Sequence, residues 1–233
     1  MKLYKYYLII ASVMLLFASC DKETEGVSRT TYYVDLELKG ESEMFIPVGT
    51  SFTDPGVIAI EGDDDISESV KVSGNVNTNK AGGYRLTYTA TNKDGFDVSV
   101  ERLVIVYDPN FTTDVSGNYT VADGTYRLTP SSGAKISYSG YDVSITQSVP
   151  GIFYVSDYLG GYYEYRAGYG VAYSAQGYFL LNEDNTIEFI SGNVAGWGDS
   201  VSGLIGAKYD PATNTLSWGA EYAKMIFYVT ITK

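Results

Sequence analysis

The densest set of side chains able to do chemistry lies in Asp157-Tyr158-Leu159-Gly160-Gly161-Tyr162-Tyr163-Glu164-Tyr165-Arg166-Ala167-Gly168-Tyr169-Gly170. Tyrosine rings offer flat faces to the C–H faces of a sugar, and Asp, Glu and Arg offer charge-assisted hydrogen bonds to its hydroxyls. Gly160 and Gly161 permit a sharp turn or a close backbone approach. Read as an extended segment, 162–166 would put Tyr163 and Tyr165 on one face and Tyr162, Glu164 and Arg166 on the other. Gly196-Trp197-Gly198-Asp199-Ser200 adds an indole between two glycines, the pattern of a loop that turns its ring outward. The expected ligand-binding set is therefore Asp157, Tyr158, Tyr162, Tyr163, Glu164, Tyr165, Arg166 and Trp197. Strand and core packing is the structural alternative for the same residues, because tyrosine suits strands equally well. Trp218, inside an apolar strand pattern, is expected in the core.

What is missing narrows the chemistry further. The chain has no histidine and a single cysteine, Cys20. Ser-His-Asp and Cys-His catalysis, histidine-ligated zinc and structural disulfides are thereby excluded. A two-carboxylate glycosidase, a Ser-Lys hydrolase or an oxygen-ligand calcium site stays open. Asp157 with Glu164, or Asp184 with Asp199, would be the carboxylate pairs, but nothing in the spacing brings them to working separation. Glu61-Gly62-Asp63-Asp64-Asp65 lacks the alternation of a calcium loop and reads as an acidic turn. No catalytic residue, metal or cofactor is called for. The net charge of −12 repels phosphate backbones, so nucleic acid is not an expected partner.

Lys2 and Lys5 precede an apolar stretch from Leu8 to Phe17, and Ala18 and Ser19 stand directly before Cys20. Residues 1–19 have the layout of a secretory signal peptide, shorter than the roughly 20 apolar residues a bilayer span needs. With the thiol at the cleavage point, the segment resembles a bacterial lipoprotein signal, although Phe17 stands where leucine is usual. The resemblance implies lipidation of Cys20 by diacylglycerol, cleavage ahead of it and acylation of the new N-terminus. Two or more acyl chains are enough for stable anchoring. Residues 20–30 are polar and read as a flexible tether. Their acidic start resembles the surface-export signal of gut Bacteroidota lipoproteins, with Lys22 interrupting it, and implies a lipid anchor in the outer membrane with the protein at the cell surface.

The elements that must position the tyrosines are strands. Over 31–108, Tyr32-Tyr33-Val34-Asp35-Leu36-Glu37-Leu38 and Tyr84-Arg85-Leu86-Thr87-Tyr88-Thr89-Ala90 alternate as half-buried strands do. Asn92-Lys93-Asp94-Gly95 supplies a hairpin turn before the strand ending in Leu103-Val104-Ile105-Val106. Short strands at regular spacing over this length predict a β-sandwich. Val48-Gly49-Thr50-Ser51-Phe52-Thr53-Asp54-Pro55-Gly56-Val57 and Ala81-Gly82-Gly83-Tyr84-Arg85-Leu86-Thr87-Tyr88-Thr89-Ala90 resemble the two signature segments of a bacterial Ig-like domain. That family supplies spacers and stalks on extracellular proteins.

Pro109 stops the last strand of that unit, and composition shifts: 15 of the 23 tyrosines follow residue 110. Residues 111–233 again read as strands joined by tight turns, among them Asn182-Glu183-Asp184-Asn185 and Asp210-Pro211-Ala212-Thr213-Asn214. About eight antiparallel strands predict a meander closed into a small lipocalin- or calycin-like barrel. The order of these segments resembles the C-terminal domains of unknown function behind Ig-like domains in Bacteroidota surface lipoproteins, which are often encoded with outer-membrane glycan importers. The whole chain is expected to be all-β. The resulting expectation is a non-enzymatic lipoprotein whose tyrosine-rich domain binds a polysaccharide or oligosaccharide for an outer-membrane transporter complex. A structural or protein-interaction lipoprotein is the alternative, and a carboxylate-dependent hydrolase a third.

Overall fold

The computed structural model describes residues 30–233; the segment expected to be a signal peptide, Cys20 and nearly all of the expected tether lie outside them. The first unit is a sandwich of two sheets. Strands β1 (Val34–Leu38), β3 (Val57–Glu61) and β4 (Asp64–Asp65) form one sheet. β2 (Glu43–Pro47), β7 (Asp97–Tyr107), β6 (Gly82–Thr91) and β5 (Lys71–Ser73) form the other, with β2 parallel to β7. Alternation decides which side chains enter: Leu86, Tyr88 and Ala90 of β6 meet Val34, Leu36, Val57 and Ala59 between the sheets. The β6–β7 hairpin turns where expected, with Asn92 Oδ1 accepting the N–H groups of Asp94 and Phe96. Glu61 accepts the Lys93 N–H, Asp64 pairs with the Lys93 ammonium, and Asp65 accepts the Ser67 N–H, so these three carboxylates of the acidic turn bind local groups on Lys93 and Ser67.

The signature residues of this unit converge on one buried cation. Arg102 has no solvent exposure, and its guanidinium donates to Asp54 Oδ1 (3.3 Å) and to the carbonyls of Lys39 (2.8 Å) and Gly56 (3.1 Å). Asp54 Oδ1 also accepts the Tyr88 hydroxyl at 2.6 Å and the Gly56 N–H at 3.0 Å. Gly56 holds φ of +77°, which a side chain would strain. Burying a charge is costly unless it is paired and hydrogen-bonded, and the Asp-Pro-Gly turn and Tyr88 supply that pairing.

In the second unit, β8 (Gly117–Val121), β9 (Tyr126–Thr129), β10 (Ala134–Ser137), β11 (Asp142–Val149), β12 (Ile152–Val155), β13 (Ala175–Leu181) and β14 (Ile187–Phe189) are followed by β15 (Asn193–Val194), β16 (Asp199–Ser200), β17 (Gly203–Asp210), β18 (Thr215–Tyr222) and β19 (Met225–Thr232). All pairings here are antiparallel. The sheet curls around Phe153, Phe179, Leu216, Trp218, Phe227 and Ile231. Trp218 is buried as expected, donating from Nε1 to the Tyr158 carbonyl at 2.7 Å.

The expected closed barrel is corrected. Between β14 and β17 no ladder runs: the isolated bridge Thr186–Lys208, just ahead of β14, is the pairing found there among the described residues. β14 has three residues, and β17 shifts register between Ile205 and Lys208, with Gly206 at φ +58°. Such a bulge bends the strand away from its neighbour.

A third core cluster ties the units together. Leu103 and Ile105 of β7 pack on Ile152, Leu180 and Ile190, with Phe45 and Tyr178 at the margin. This explains why β7 is buried over consecutive residues 102–106: one face fills the sandwich and the other meets the second unit. Arg85 Nη2 donates across the junction to the Ile190 carbonyl at 3.2 Å. Gly83 lies so close that a Cβ there would stand 2.6 Å from Ile190 Cγ2.

Candidate functional site

The segment after β12 is not extended, which corrects the two-faced arrangement expected for 162–166. Gly160 (φ +59°) and Gly161 (φ +76°) turn the chain into a single π-turn over Tyr162–Arg166. Arg166 N–H donates to the Gly161 carbonyl and Ala167 N–H to that of Tyr162, the i→i+5 pattern found mostly as isolated turns. A wide turn fans its side chains, so Tyr163 and Tyr165 leave in different directions.

Three expected ligand contacts are closed to solvent. Asp157, Tyr158 and Tyr162 are 2%, 0% and 5% exposed. Asp157 is a structural acceptor: Oδ1 takes the N–H groups of Leu159 and Ala175 at 2.9 Å, and Oδ2 that of Gly161 at 2.7 Å. Burial pushes its carboxyl up to about 6 against those donors, with Glu164 adding to the rise. Tyr158 packs edge-on against Trp218. Tyr162 is wedged against Tyr138 and Phe227, with Arg127 and Arg166 over its ring.

The remaining predicted residues reach the surface but do not form one plane. Tyr165, 49% exposed, stacks on Tyr141 at 5.5 Å, and Glu164 raises its phenol pKa by holding its proton. Glu164 also accepts the Ser174 hydroxyl at 2.6 Å. Tyr163 instead turns toward Trp197, with ring centroids 4.8 Å apart and planes at 84°.

Trp197, 44% exposed, is the centre of an aromatic corner. Tyr173 lies 4.7 Å from it and Tyr169, 56% exposed, stands 5.9 Å away at 87°; Tyr222 lies behind, 6.2 Å away at 27°. Tyr163 and Tyr169 are parallel within 9°. Gly196 permits this packing, since a Cβ there would meet the Tyr173 ring at 2.6 Å. Asp199 accepts the Tyr222 hydroxyl at 2.8 Å; burial first and Asp199 second hold that phenol well above its usual pKa. Two exposed rings at right angles, with the Asp199 carboxylate nearby, can stack on an apolar ring face and bond its hydroxyls. The sequence reading missed Tyr173 as a member, and Tyr169 was visible only as part of the tyrosine run.

Two family models match the chain in succession. A family model for a bacterial surface protein Ig-like domain matches residues 36–106, and one for a "-like, C-terminal domain" matches residues 108–233. The lipoprotein BT2262 from Bacteroides thetaiotaomicron is 43% identical, over 86% of this chain and 100% of that one, with a TM-score of 0.49. The chain belongs to that lipoprotein's family. This chain joins a bacterial Ig-like domain to a C-terminal all-β domain. A Clostridium perfringens ZmpB fragment containing CBM51-2 with GlcNAc is 16% identical over 53% of this chain and 29% of its own, with a TM-score of 0.28. A second ZmpB fragment, with the M60 catalytic domain and both CBM51 domains, is 17% identical over 53% and 14%, with a TM-score of 0.27. No curated protein matches the chain.

Proposed function

We propose that this protein is a non-enzymatic lipoprotein, anchored in the outer membrane through Cys20, that binds an extracellular glycan at the Trp197 corner for a neighbouring uptake system. The observation that carries the reading is the exposed, mutually perpendicular pair Trp197 and Tyr169. Aromatic faces of this kind suit sugar rings, and the indole and tyrosines around it lose little conformational freedom on binding because neighbouring rings already hold them. Glycosidases flank the scissile bond with two carboxylates about 5 to 10 Å apart. At the corner, Asp199 and Glu164 serve as acceptors for the Tyr222 and Ser174 hydroxyls instead.

Affinity electrophoresis of the full chain through gels containing a panel of polysaccharides tests this. At least one neutral polysaccharide should retard the protein, and Trp197→Ala should weaken the retardation at unchanged melting temperature. Equal migration of wild type and Trp197→Ala in every gel removes the corner as the site. Radiolabelled palmitate should label the wild type and not Cys20→Ala.

A further inference from the structure

Where the two units meet, an open cleft of about 800 Å³ runs along the junction, within the size range of small-molecule sites. Glu43 of β2 is the contribution of the Ig-like unit; Tyr154, Gln176, Tyr178 and Asn193 are among the lining residues of the second unit. Tyr154 and Tyr178 meet edge-to-face at 5.2 Å and make a ringed floor. We propose that this cleft is a second binding site, separate from the Trp197 corner, for a neutral hydroxyl-rich ligand: an uncharged saccharide held by Glu43, Gln176, Asn193 and the two tyrosines.

The polar groups are oriented but not used up. The Tyr178 hydroxyl donates to Glu43 Oε2 at 3.0 Å, and the Tyr154 hydroxyl to Gln176 Oε1 at 2.9 Å. Ser200 donates to Asn193 Oδ1 at 3.0 Å. Each bond fixes a rotamer and leaves the other end of the group to face a ligand: Glu43 Oε1 as acceptor, and the amide nitrogens of Gln176 and Asn193 as donors. Burial and then Glu43 push the Tyr178 phenol up to about 12, so it stays a donor at neutral pH. Donors and acceptors in this alternation match a ring carrying several hydroxyls.

Charge selects the class. Glu43 is the single ionised residue on the lining, and no Lys or Arg is present there. An anionic glycan would bring its carboxylate or sulfate toward the exposed Glu43 carboxylate, which no cation on the lining offsets. The cleft therefore fits neutral sugars and rejects acidic ones. It is also rigid, because the Leu103–Ile105–Ile152–Leu180–Ile190 cluster joins the units. The Ig-like unit then supplies a ligand contact as well as height above the membrane.

The ridge between the two sites is shared. Val171, Ala172 and Ala195 line the cleft, while Tyr173 and Trp197 of the same two segments face the corner. The Gly196 N–H donates to the Ala172 carbonyl at 2.6 Å and pins these segments together.

The test uses the full chain in detergent, with neutral glucan, mannan and xylan gels and an acidic polygalacturonate gel, on wild type, Trp197→Ala, Glu43→Gln and Gln176→Ala. Melting temperature is measured on every variant, and one that fails to fold is replaced by Tyr154→Phe. The proposal expects retardation by a neutral polymer, none by polygalacturonate, and about tenfold weaker binding in Gln176→Ala, the size expected for one lost hydrogen bond to a buried partner. Retardation that survives Trp197→Ala but falls in Gln176→Ala supports the cleft and removes the corner. Loss in Trp197→Ala alone, with Glu43→Gln and Gln176→Ala at wild-type strength, overturns the cleft and leaves the corner standing. Binding of polygalacturonate in preference to the neutral polymers also overturns the cleft. Free migration in all four gels overturns both.

Discussion

At the aromatic corner, the Trp197, Tyr163, Tyr169, Tyr173 and Tyr222 rings support one another within a single unit. The junction cleft is assembled instead from two units, with two rings and a set of polar side chains each fixed by one hydrogen bond. The corner is strong in surface for stacking and sparse in directional groups; the cleft is the reverse. Stacking tolerates many sugar faces, whereas a fixed array of donors and acceptors discriminates among them. The two sites differ in what holds them, so they should fail separately under different substitutions.

The largest expected effect is on the cleft's supporting sandwich. Arg102→Ala leaves Asp54 and Tyr88 without their buried cation and two carbonyls without their donor, a change expected to cost about 3–5 kcal/mol. Hydrogen exchange should show lost protection across 34–107 while the ring network around Trp197 keeps its own. Equal loss in both units would mean that the two sites share one cooperative fold.

Asp157 supports the opposite region. Asp157→Ala orphans three backbone N–H groups under the tyrosine turn and should destabilise by about 3 kcal/mol, loosening the corner first. Its titration has a definite sign. The native carboxyl keeps its proton up to about pH 6, and the ordinary value is 3.8. Between those values the folded state binds more protons than the unfolded state, so this group's contribution is greatest below about pH 4. It is lost as pH rises through 6, by up to about 3 kcal/mol. Thermal unfolding from pH 4 to 7 should show that decline in the wild type and a flatter profile in Asp157→Asn. Identical profiles would remove Asp157 as the titrating group.

The smallest effect is the most selective. Gly83→Ala drives a methyl into Ile190 at the junction, an overpacking expected to cost about 1–3 kcal/mol. Ligand binding by the cleft should weaken with little change at Trp197. Small-angle scattering of the variant should report a longer particle if the units part.

Much of this was legible in the chain. Alternation in 84–90 marked β6, and the Asn92–Gly95 turn marked its hairpin, because both depend on near neighbours only. The Leu103-Val104-Ile105-Val106 run marked the end of a strand, whereas what covers its outer face lies some 50 to 90 residues away. Among the tyrosines, the sequence reading put Tyr158, Tyr162, Tyr163 and Tyr165 in one ligand-binding set, and the fold divides them between core and surface. Gly160 and Gly161 were rightly marked as a sharp turn, but an extended reading beyond them missed the π-turn that fans the rings apart.

The sequence by itself determined an all-β chain with a bacterial Ig-like domain ahead of a tyrosine-rich domain, and it excluded histidine and disulfide chemistry. The Ig-like reading rests on the resemblance of two short segments to that family, and the others on composition and on periods of two; all of these are local properties. Only the tertiary structure decided which tyrosines are walls and which are surface, that the barrel stays open, and that Glu43 meets Tyr178 across 135 positions. The reason is physical: a side chain's exposure depends on what distant chain lies over it, and no pattern among its neighbours in sequence encodes that cover.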